Sequence, residues 1–445
     1  MPAEEITNYM RLALEQAFFS IGISRPNPAV GAVVVKDGIV VGKGRTQRPG
    51  SAHAEVMALR DAGELARGAA IFVTLEPCCH YGRTPPCTKA IIDAGIKEVY
   101  FAHADPNPVV RGNSRKVLED AGIKVYEGVK ACIAASVAEC DDVAGSGCRV
   151  FGYASGAPVK NAPGGAPSEM EIEGRAVFAE IERFFEAYDY FVKNKRTFVE
   201  VKCAMTENRF MAGIGDDGAK FPVKITGQGA NCWNHELRAM SDAVLVGAGT
   251  LLADNPSLNV RFAAGNNPVK VLWAGHRVFT EKDVRGLKFF AAQGAGGNTA
   301  LDVGQNPAPT ALVYTLVEQP TLKSVASSVK DAPAALEVVR LHAENFADAW
   351  SEMLDDMSRR GMHRLMVEPG ATLAGLLFES KAPEGSPLWN RLDLWQSTDP
   401  DVDAFLDGYD ARDITGVAFP GVPSGSVARD SAILGPDVLT VYYPQ

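Results

Sequence analysis

Apolar residues recur at four-residue intervals near the start of the chain, at Ile6, Met10, Leu14 and Phe18. That interval keeps one helix face apolar and predicts an amphipathic first helix. The pattern then shortens. Ala29 to Val35 and Ile39 to Val41 are apolar runs, with Asp37-Gly38 as a hairpin turn signal between them. A helix is expected from about Ser51 to Ala62, a strand from Ala70 to Leu75, a helix starting near Pro86 and a strand from Val99 to Ala102. That strand leads into Asp105-Pro106-Asn107-Pro108, and a helix and a last strand, Lys124 to Tyr126, follow. Strand–helix alternation of this kind predicts an α/β sandwich.

Patterning lapses after Cys140. Gly145 to Pro167 is rich in Gly, Ala, Pro and Ser without a sustained period, and reads as a linker or long surface excursion. A helix follows, with Val177, Phe178, Ile181, Phe184, Phe185 and Tyr188 on one face. From Thr197 a second series begins, with strands at Phe198–Cys203, Ala243–Val246, Val269–Trp273, Ala311–Tyr314, Val338–Leu341 and Arg364–Val367. It predicts a mostly parallel, doubly wound sheet. In the tail, the alternation around Leu392 and Leu394 predicts a strand that closes this sheet. The expected organisation is a first domain over 1–145, a linker and connecting helix over 146–190, and a second domain over 191–445.

A length of 445 residues agrees with two or three domains, and 46% hydrophobic with 22% charged residues suits a soluble enzyme. The net charge of −10 argues against wide contact with nucleic acid, which rests on Lys and Arg neutralising phosphates. The start has no basic region followed by an apolar run, and no stretch has bilayer-spanning length. A cytoplasmic protein without membrane contact is expected. Its cysteines, Cys78, Cys79, Cys87, Cys132, Cys140, Cys148, Cys203 and Cys232, then read as reduced thiols or metal ligands.

The chemistry is plainest at Ser51-Ala52-His53-Ala54-Glu55 and at Glu76-Pro77-Cys78-Cys79-His80-Tyr81-Gly82-Arg83-Thr84-Pro85-Pro86-Cys87. Ser51 as N-cap would put His53 and Glu55 in a first helical turn. Cys78 ends a strand, and Cys87 after Pro86 lies near a helix N-terminus, which favours the thiolate a metal needs. One imidazole and two thiolates leave a fourth tetrahedral position for water, the arrangement of a catalytic zinc site. Zinc lowers the pKa of that water to roughly 7. Glu55 then takes its proton and returns it to a ring nitrogen and the departing amine, the chemistry of a nitrogen-heterocycle deaminase. A closed structural site with Cys79 or His80 as fourth ligand is the rival, but it leaves Glu55 without a task. Cys79 and His80 otherwise read as a packed thiol and a loop imidazole near the substrate.

Two features of the second half carry weaker signals. Gly247-Ala248-Gly249 could cradle phosphates or form a tight turn. Glu368-Pro369-Gly370-Ala371-Thr372-Leu373 could offer a helix N-terminus to a pyrophosphate or be an ordinary strand–helix turn. Arg238 and Arg261 suit bidentate contact with a phosphate or a surface ion pair, and Asp254 could be a cap.

These residues resemble the bifunctional riboflavin-biosynthesis enzymes that join a pyrimidine deaminase to a 5-amino-6-(5-phosphoribosylamino)uracil reductase. In the first half the likeness lies in Arg25 to Gly31, His53-Ala54-Glu55, Glu76 to Cys87 and Asp105 to Gly112. In the second it lies in Lys202 to Thr206, Ile225-Thr226-Gly227, Leu237 to Ala243, Val246 to Arg261 and Val367 to Leu373. The nine-residue step from Cys78 to Cys87 is the family's, not that of nucleoside or transfer-RNA deaminases. The resemblance implies a cytidine-deaminase-like α/β/α sandwich followed by a dihydrofolate-reductase-like sheet. It implies deamination of 2,5-diamino-6-ribosylamino-4(3H)-pyrimidinone 5′-phosphate, then NADPH-dependent reduction of ribosyl to ribityl by hydride transfer to C1′.

The likeness implies zinc on His53, Cys78 and Cys87, with Glu55 catalytic. NADPH would meet Cys203, Lys224, Thr250, Asp254, Gly370, Ala371, Thr372, Leu373, Ala374 and Gly375. Substrate would meet Asn27, Arg238, Leu258, Arg261 and Glu368. Asp254 is also the candidate for polarising the sugar, and a homodimer acting on a phosphorylated pyrimidine is expected. The chain departs from the family in four places. Glu207-Asn208-Arg209 is a shortened loop, Pro222-Val223-Lys224 replaces a Ser-x-Trp, Arg196-Thr197-Phe198-Val199 replaces Arg-Pro-Phe-Val, and Ser114 replaces a frequent Gly. The alternative is therefore a deaminase fused to a catalytically impaired, nucleotide-binding reductase-like domain.

Overall fold

The first apolar stripe forms helix α1, Ala3–Phe18, with Ile6, Met10 and Leu14 buried. A computed structural model describes residues 1–82, 84–128, 149–150, 169–214, 220–221, 223–290, 311–322, 324, 336–399 and 417–445. Apart from Arg149–Val150, the expected linker from Gly145 to Pro167 falls outside those residues, as does Pro222. The chain divides into two units, Met1–Ser146 with Phe151–Lys195, and Gly147–Val150 with Arg196–Gln445.

In the first unit, β1 (Gly31–Lys36) and β2 (Ile39–Arg45) form the expected hairpin. Asp37 and Gly38 both take positive φ, 50° and 78°, as a tight hairpin turn requires. Helix α2 (Ala54–Ala62), β3 (Ala70–Leu75), α3 (Cys87–Asp93), β4 (Glu98–His103), α4 (Asn113–Asp120) and β5 (Lys124–Glu127) complete the series. The sheet order is β2-β1-β3-β4-β5, antiparallel across β2, β1 and β3 and parallel from β3 to β5. Side chains alternate faces along a strand, so Gly31 and the Gly42/Gly44 pair face opposite sides. A Cβ at Gly31 would lie 1.9 Å from Ala13 O of α1, and one at Gly44 2.2 Å from Ala54 O of α2. The helices thus seat on opposite faces of the sheet, and α2 is pressed onto β2 at the residues beside Glu55.

Helix α2 corrects one expectation. Ser51 is exposed, with its N–H on Arg48 O in a turn, and His53 occupies the N-cap position with extended backbone, φ −75° and ψ 169°. Only Glu55 lies within the first turn. The helix expected between the domains, α5 (Glu169–Asn194), packs on the first unit, with Phe184 edge-on to Phe18 and Phe185 stacked on His103. Asp189 of α5 reaches His103 Nε2 at 3.0 Å.

The second unit contains β6 (Arg149–Val150), β7 (Phe198–Met205), β8 (Phe210–Ile214), β9 (Lys220–Phe221), α6 (Gln228–Ala239), β10 (Ala243–Gly247), α7 (Ala248–Asp254) and β11 (Val269–Gly275). It continues with α8 (Glu281–Arg285), β12 (Ala311–Thr315), β13 (Leu336–Arg340), α9 (Phe346–Arg359), β14 (Arg364–Val367) and α10 (Ala371–Glu379). The last strands are β15 (Arg391–Ser397), β16 (Val417–Ala418), β17 (Ser426–Leu434) and β18 (Asp437–Pro444). The main sheet runs β13-β12-β11-β10-β14-β7-β15-β18-β17-β6, parallel from β13 to β15. Strand β15 does not close the sheet as expected. It lies between β7 and β18, nearly all of it buried, and the antiparallel β17–β18 hairpin extends the sheet beyond it. Alternation reports burial of faces and cannot distinguish a central strand from an edge. Trp350 of α9, fully buried against Trp273 of β11 with ring centroids 5.4 Å apart, anchors the core on one face.

Candidate active sites

Three elements of the first unit converge on one point. His53 comes from the entry to α2, Cys78 from the segment after β3, and Cys87 from the first position of α3, where its N–H donates to Cys78 Sγ at 3.3 Å. His53 Nδ1 lies 3.6 Å from Cys78 Sγ and 3.3 Å from Cys87 Sγ, and the three ligand atoms fall within 4.8 Å of one another. Zinc bonds of about 2.0–2.1 Å to nitrogen and 2.3 Å to sulfur give a tetrahedral N···S edge of about 3.6 Å, so the donor set fits the metal in chemistry and spacing. Among the described residues this cluster has three members. Cys79 is directed to Val109 O instead, which leaves the closed four-ligand alternative without its thiol.

The three members share protons among themselves, and the bond with Cys78, then burial, raise the Cys87 thiol, against the thiolate that its place at a helix start predicts. Hydrogen bonds from Cys87 and His53 bring Cys78 down to about 4, while the same bond with Cys78 raises His53 to about 9. Glu55 is buried and also hydrogen-bonded with Cys87. Burial, then the Cys78 charge, lift its carboxyl to about 7.

Beside the cluster, buried Glu76 organises a loop. Its Oε1 accepts from Gly112 N–H at 2.9 Å and from the Ser114 hydroxyl, and its Oε2 from Asp105 N–H at 3.3 Å. Within that loop Asp105 Oδ1 accepts from Asn107 N–H, and Asn107 Oδ1 from Val109 N–H, two successive side-chain turns. Ser114 thus has a structural task, as a donor that a glycine could not provide. The sequence reading missed Glu76; its signal was a carboxylate two positions before a ligand at a strand end. Asn27 is half-buried just ahead of β1, its N–H on Ser24 O.

The sheet of the second unit has a topological switch beside β10 and β14. Strands β10 and β14 are parallel neighbours, with Leu245 opposite Val367. The chain leaves β10 toward β11 on one side and β14 toward β15 on the other. Open α/β sheets bind ligands at the carboxyl ends of such diverging strands. Here α7 follows Gly247 and α10 follows Gly370, neither capped by a side chain. A Cβ at Gly370 would stand 2.8 Å from Thr250 Oγ1, so the two expected cofactor residues adjoin. Leu373 and Ala374 turn their side chains into the core, leaving Gly370, Ala371 and Thr372 to present the helix N-terminus. Such a bare, glycine-lined helix start suits a diphosphate. Cys203 is core, its thiol pushed to about 12 by burial, and Lys224 is exposed.

Charged groups gather in the same region. Arg238 forks onto Glu368, Nε to Oε1 at 2.6 Å and Nη2 to Oε2 at 2.8 Å, and gives Nη1 to Asn259 O at 3.2 Å. Burial works against the Glu368 charge, but Arg238 outweighs it and holds the carboxyl below its ordinary value. Partial desolvation and the Glu368 charge raise Asp254. Lys202 lies in the same field. Desolvation lowers its ammonium, while Glu368 and Asp437 act against that shift. Lys202 was not among the expected site residues; its signal was a charge inside the apolar run Phe198–Met205. Leu258 is buried with φ 50°, and the Arg261 side chain is exposed over the Phe262 ring.

Residues 3–103 match the family model for the cytidine and deoxycytidylate deaminase zinc-binding region, and residues 198–382 that for the RibD C-terminal domain. Riboflavin biosynthesis protein RibD of Haemophilus influenzae is 31% identical over 376 residues, covering 84% of this chain and 82% of that protein. RibD of Aquifex aeolicus is 38% identical over 266 residues, a span that covers 60% of either protein. A solved diaminohydroxyphosphoribosylaminopyrimidine deaminase/5-amino-6-(5-phosphoribosylamino)uracil reductase from Thermotoga maritima superposes with a TM-score of 0.62 at 25% identity, covering 100% of this chain and 99% of that one. No helix among the described residues is long and apolar enough to cross a membrane.

Proposed function

This chain belongs to the family of riboflavin biosynthesis proteins RibD, and we propose that it carries out two successive steps on one phosphorylated pyrimidine. The first unit hydrolyses the 2-amino group of 2,5-diamino-6-ribosylamino-4(3H)-pyrimidinone 5′-phosphate and releases ammonia. The second reduces the ribosyl group of that product to ribityl with NADPH. The observation that carries the reading is the His53, Cys78 and Cys87 cluster with Glu55 buried against it.

His53, Cys78 and Cys87 would hold zinc, which when bound supplies the Lewis acidity that makes hydroxide available near neutral pH. Glu55 accepts one proton from the attacking water and delivers it to the ring nitrogen, then takes the second from the added hydroxyl and delivers it to the leaving amine as the carbonyl forms. The loop clamped by Glu76 presents Asp105 and Asn107 beside the site. In the second unit Gly370, Ala371 and Thr372 would hold the NADPH diphosphate, with Thr250 and Asp254 toward the nicotinamide, and the cofactor supplies the hydride. The Arg238 fork keeps Glu368 fixed and ionised. Lys202 and Asp254 are the groups left to move a proton at the opening sugar. The exposed Arg261 guanidinium suits the substrate phosphate. An impaired reductase is the weaker reading; what supports the active one is the match of residues 198–382 to the RibD C-terminal domain, with Gly370 adjoining Thr250. The enzyme is taken as a cytoplasmic homodimer whose partners are small molecules.

The test uses the full-length, zinc-loaded chain. Ammonia release from the diaminopyrimidine phosphate should require zinc and Glu55, and NADPH should then be consumed in proportion to product. Release unchanged in zinc-free protein would remove the first assignment, and NADPH binding without consumption the second.

A further inference from the structure

Helix α6 presents His235 and Arg238 one turn apart, and both grip the segment that carries Leu258 and Arg261. Arg238 Nη1 donates to Asn259 O at 3.2 Å. His235 Nδ1 accepts the Arg261 N–H at 3.0 Å. His235 is fully buried, its ring edge-on to Phe262 with centroids 4.9 Å apart. A backbone N–H can only donate, so Nδ1 is unprotonated and the proton of the neutral ring sits on Nε2. Burial, with Arg238 and Arg261 nearby, lowers the ring to about 4 and keeps it neutral.

Packing alone does not account for this histidine. Its Nε2 is buried without a hydrogen-bond partner among the described residues. An unsatisfied buried donor is destabilising, and an apolar side chain would avoid it. What the ring provides is an acceptor at one backbone position, that of Arg261. With its N–H fixed there, the Arg261 side chain is left at the surface, held from Asn259 Oδ1 at 2.6 Å. Arg238 has Glu368 and Asn259 on its donors, so Arg261 is the arginine more open to an anion.

We infer that His235 is a positioning residue for the substrate-phosphate site, acting through the Arg261 backbone. The inference rests on the reductase reading above. An asparagine side chain can place an acceptor where Nδ1 stands, whereas glutamine reaches toward the Nε2 position. In the full chain, His235→Gln and His235→Leu should raise KM for 5-amino-6-(5-phosphoribosylamino)uracil about tenfold, as expected for loss of one buried hydrogen bond, and weaken competitive inhibition by inorganic phosphate equally. kcat and the KM for NADPH should stay within about twofold, and His235→Asn should restore most of the loss. If the leucine variant loses NADPH binding it has lost its fold, and the Asn and Gln pair decides. Equal behaviour of Asn and Gln, whether both near wild type or both impaired, overturns the inference. A wild-type chain that does not oxidise NADPH overturns the reductase reading instead.

Discussion

Glu76→Gln tests whether one buried carboxylate holds the deaminase loop. The substitution keeps the shape of the side chain and replaces one oxygen by an NH₂ group. Three donors converge on Glu76, two on Oε1 and one on Oε2, and it is only 3% exposed. A glutamine must therefore aim its NH₂ at a donor. The less costly orientation keeps Gly112 and Ser114 on the oxygen and faces Asp105 N–H, the longest of the three bonds at 3.3 Å. Two charge-assisted bonds become neutral, at a loss of about 1 kcal/mol each, and one buried N–H is orphaned at about 1–3 kcal/mol. Burying a neutral amide is easier than burying a carboxylate, which offsets part of this and leaves about 2–4 kcal/mol. Because a chain of two units need not unfold in one step, the readout should be specific to the first. Zinc release and loss of ammonia production should be followed against urea. With a slope of about 2 kcal/mol per molar in urea, the midpoint should fall by about 1–2 M. Ser114→Ala removes one donor only and should shift it by less than half as much. A Glu76→Gln midpoint equal to wild type, or a Ser114→Ala shift larger than that of Glu76→Gln, refutes the clamp.

Glu55→Gln should retain zinc, since no ligand changes, and lose deamination by about 10²–10⁴-fold; zinc content and ammonia release measure both. Removing zinc by chelation should end ammonia release yet leave NADPH oxidation of the deaminated substrate intact, and parallel loss of both would contradict separate sites. Gly370→Ala should raise KM for NADPH because its Cβ meets Thr250 Oγ1 at 2.8 Å, and Thr250→Ala in the same chain should relieve the added strain. Purely additive effects in that double-mutant cycle would show that the two residues do not touch. Arg238→Leu leaves Glu368, 17% exposed and still in the field of Lys202, without its fork and should destabilise the second unit by about 2–3 kcal/mol, whereas Arg238→Leu with Glu368→Leu should recover much of it in thermal unfolding.

The zinc cluster was legible because each member is a chemically distinctive side chain at a motif position. His53 and Glu55 are separated by one residue, and Cys78 and Cys87 flank a Pro-rich insert, so the chemistry could be stated before any fold was known. What could not be read was the local geometry that delivers them. Ser51 looks like a cap because serine is a good one, yet its N–H is taken by a turn onto Arg48 O and the chain is still extended at His53. A capping preference of about 1 kcal/mol yields readily to a competing turn of this kind. Glu76 was hidden for another reason. Its donors come from Asp105, Gly112 and Ser114, and only the return of β4 beside β3 brings that loop within reach.

The second site is built from contacts that sequence does not encode locally. The proposed cofactor cradle brings Gly370 beside the Thr250 hydroxyl, and the two adjoin because β10 and β14 pair across more than a hundred residues. The same separation governs its charges. From α6 alone, Arg238 is a free guanidinium suited to phosphate. Glu368, 130 residues further on, meets it with both carboxylate oxygens and commits the fork to the protein. The pair is worth little as net stability, since desolvation offsets most of the attraction. Its consequence is positional. With Glu368 held and Arg238 also tied to Asn259 O, the neighbouring segment is fixed at its carbonyl by one residue of α6 and at the Arg261 N–H by another, His235. A helix face spaced to grip two backbone groups in this way fixes the backbone from which the exposed Arg261 side chain extends, and under the proposed reading that shortens the lever by which a phosphate clamp could miss its substrate.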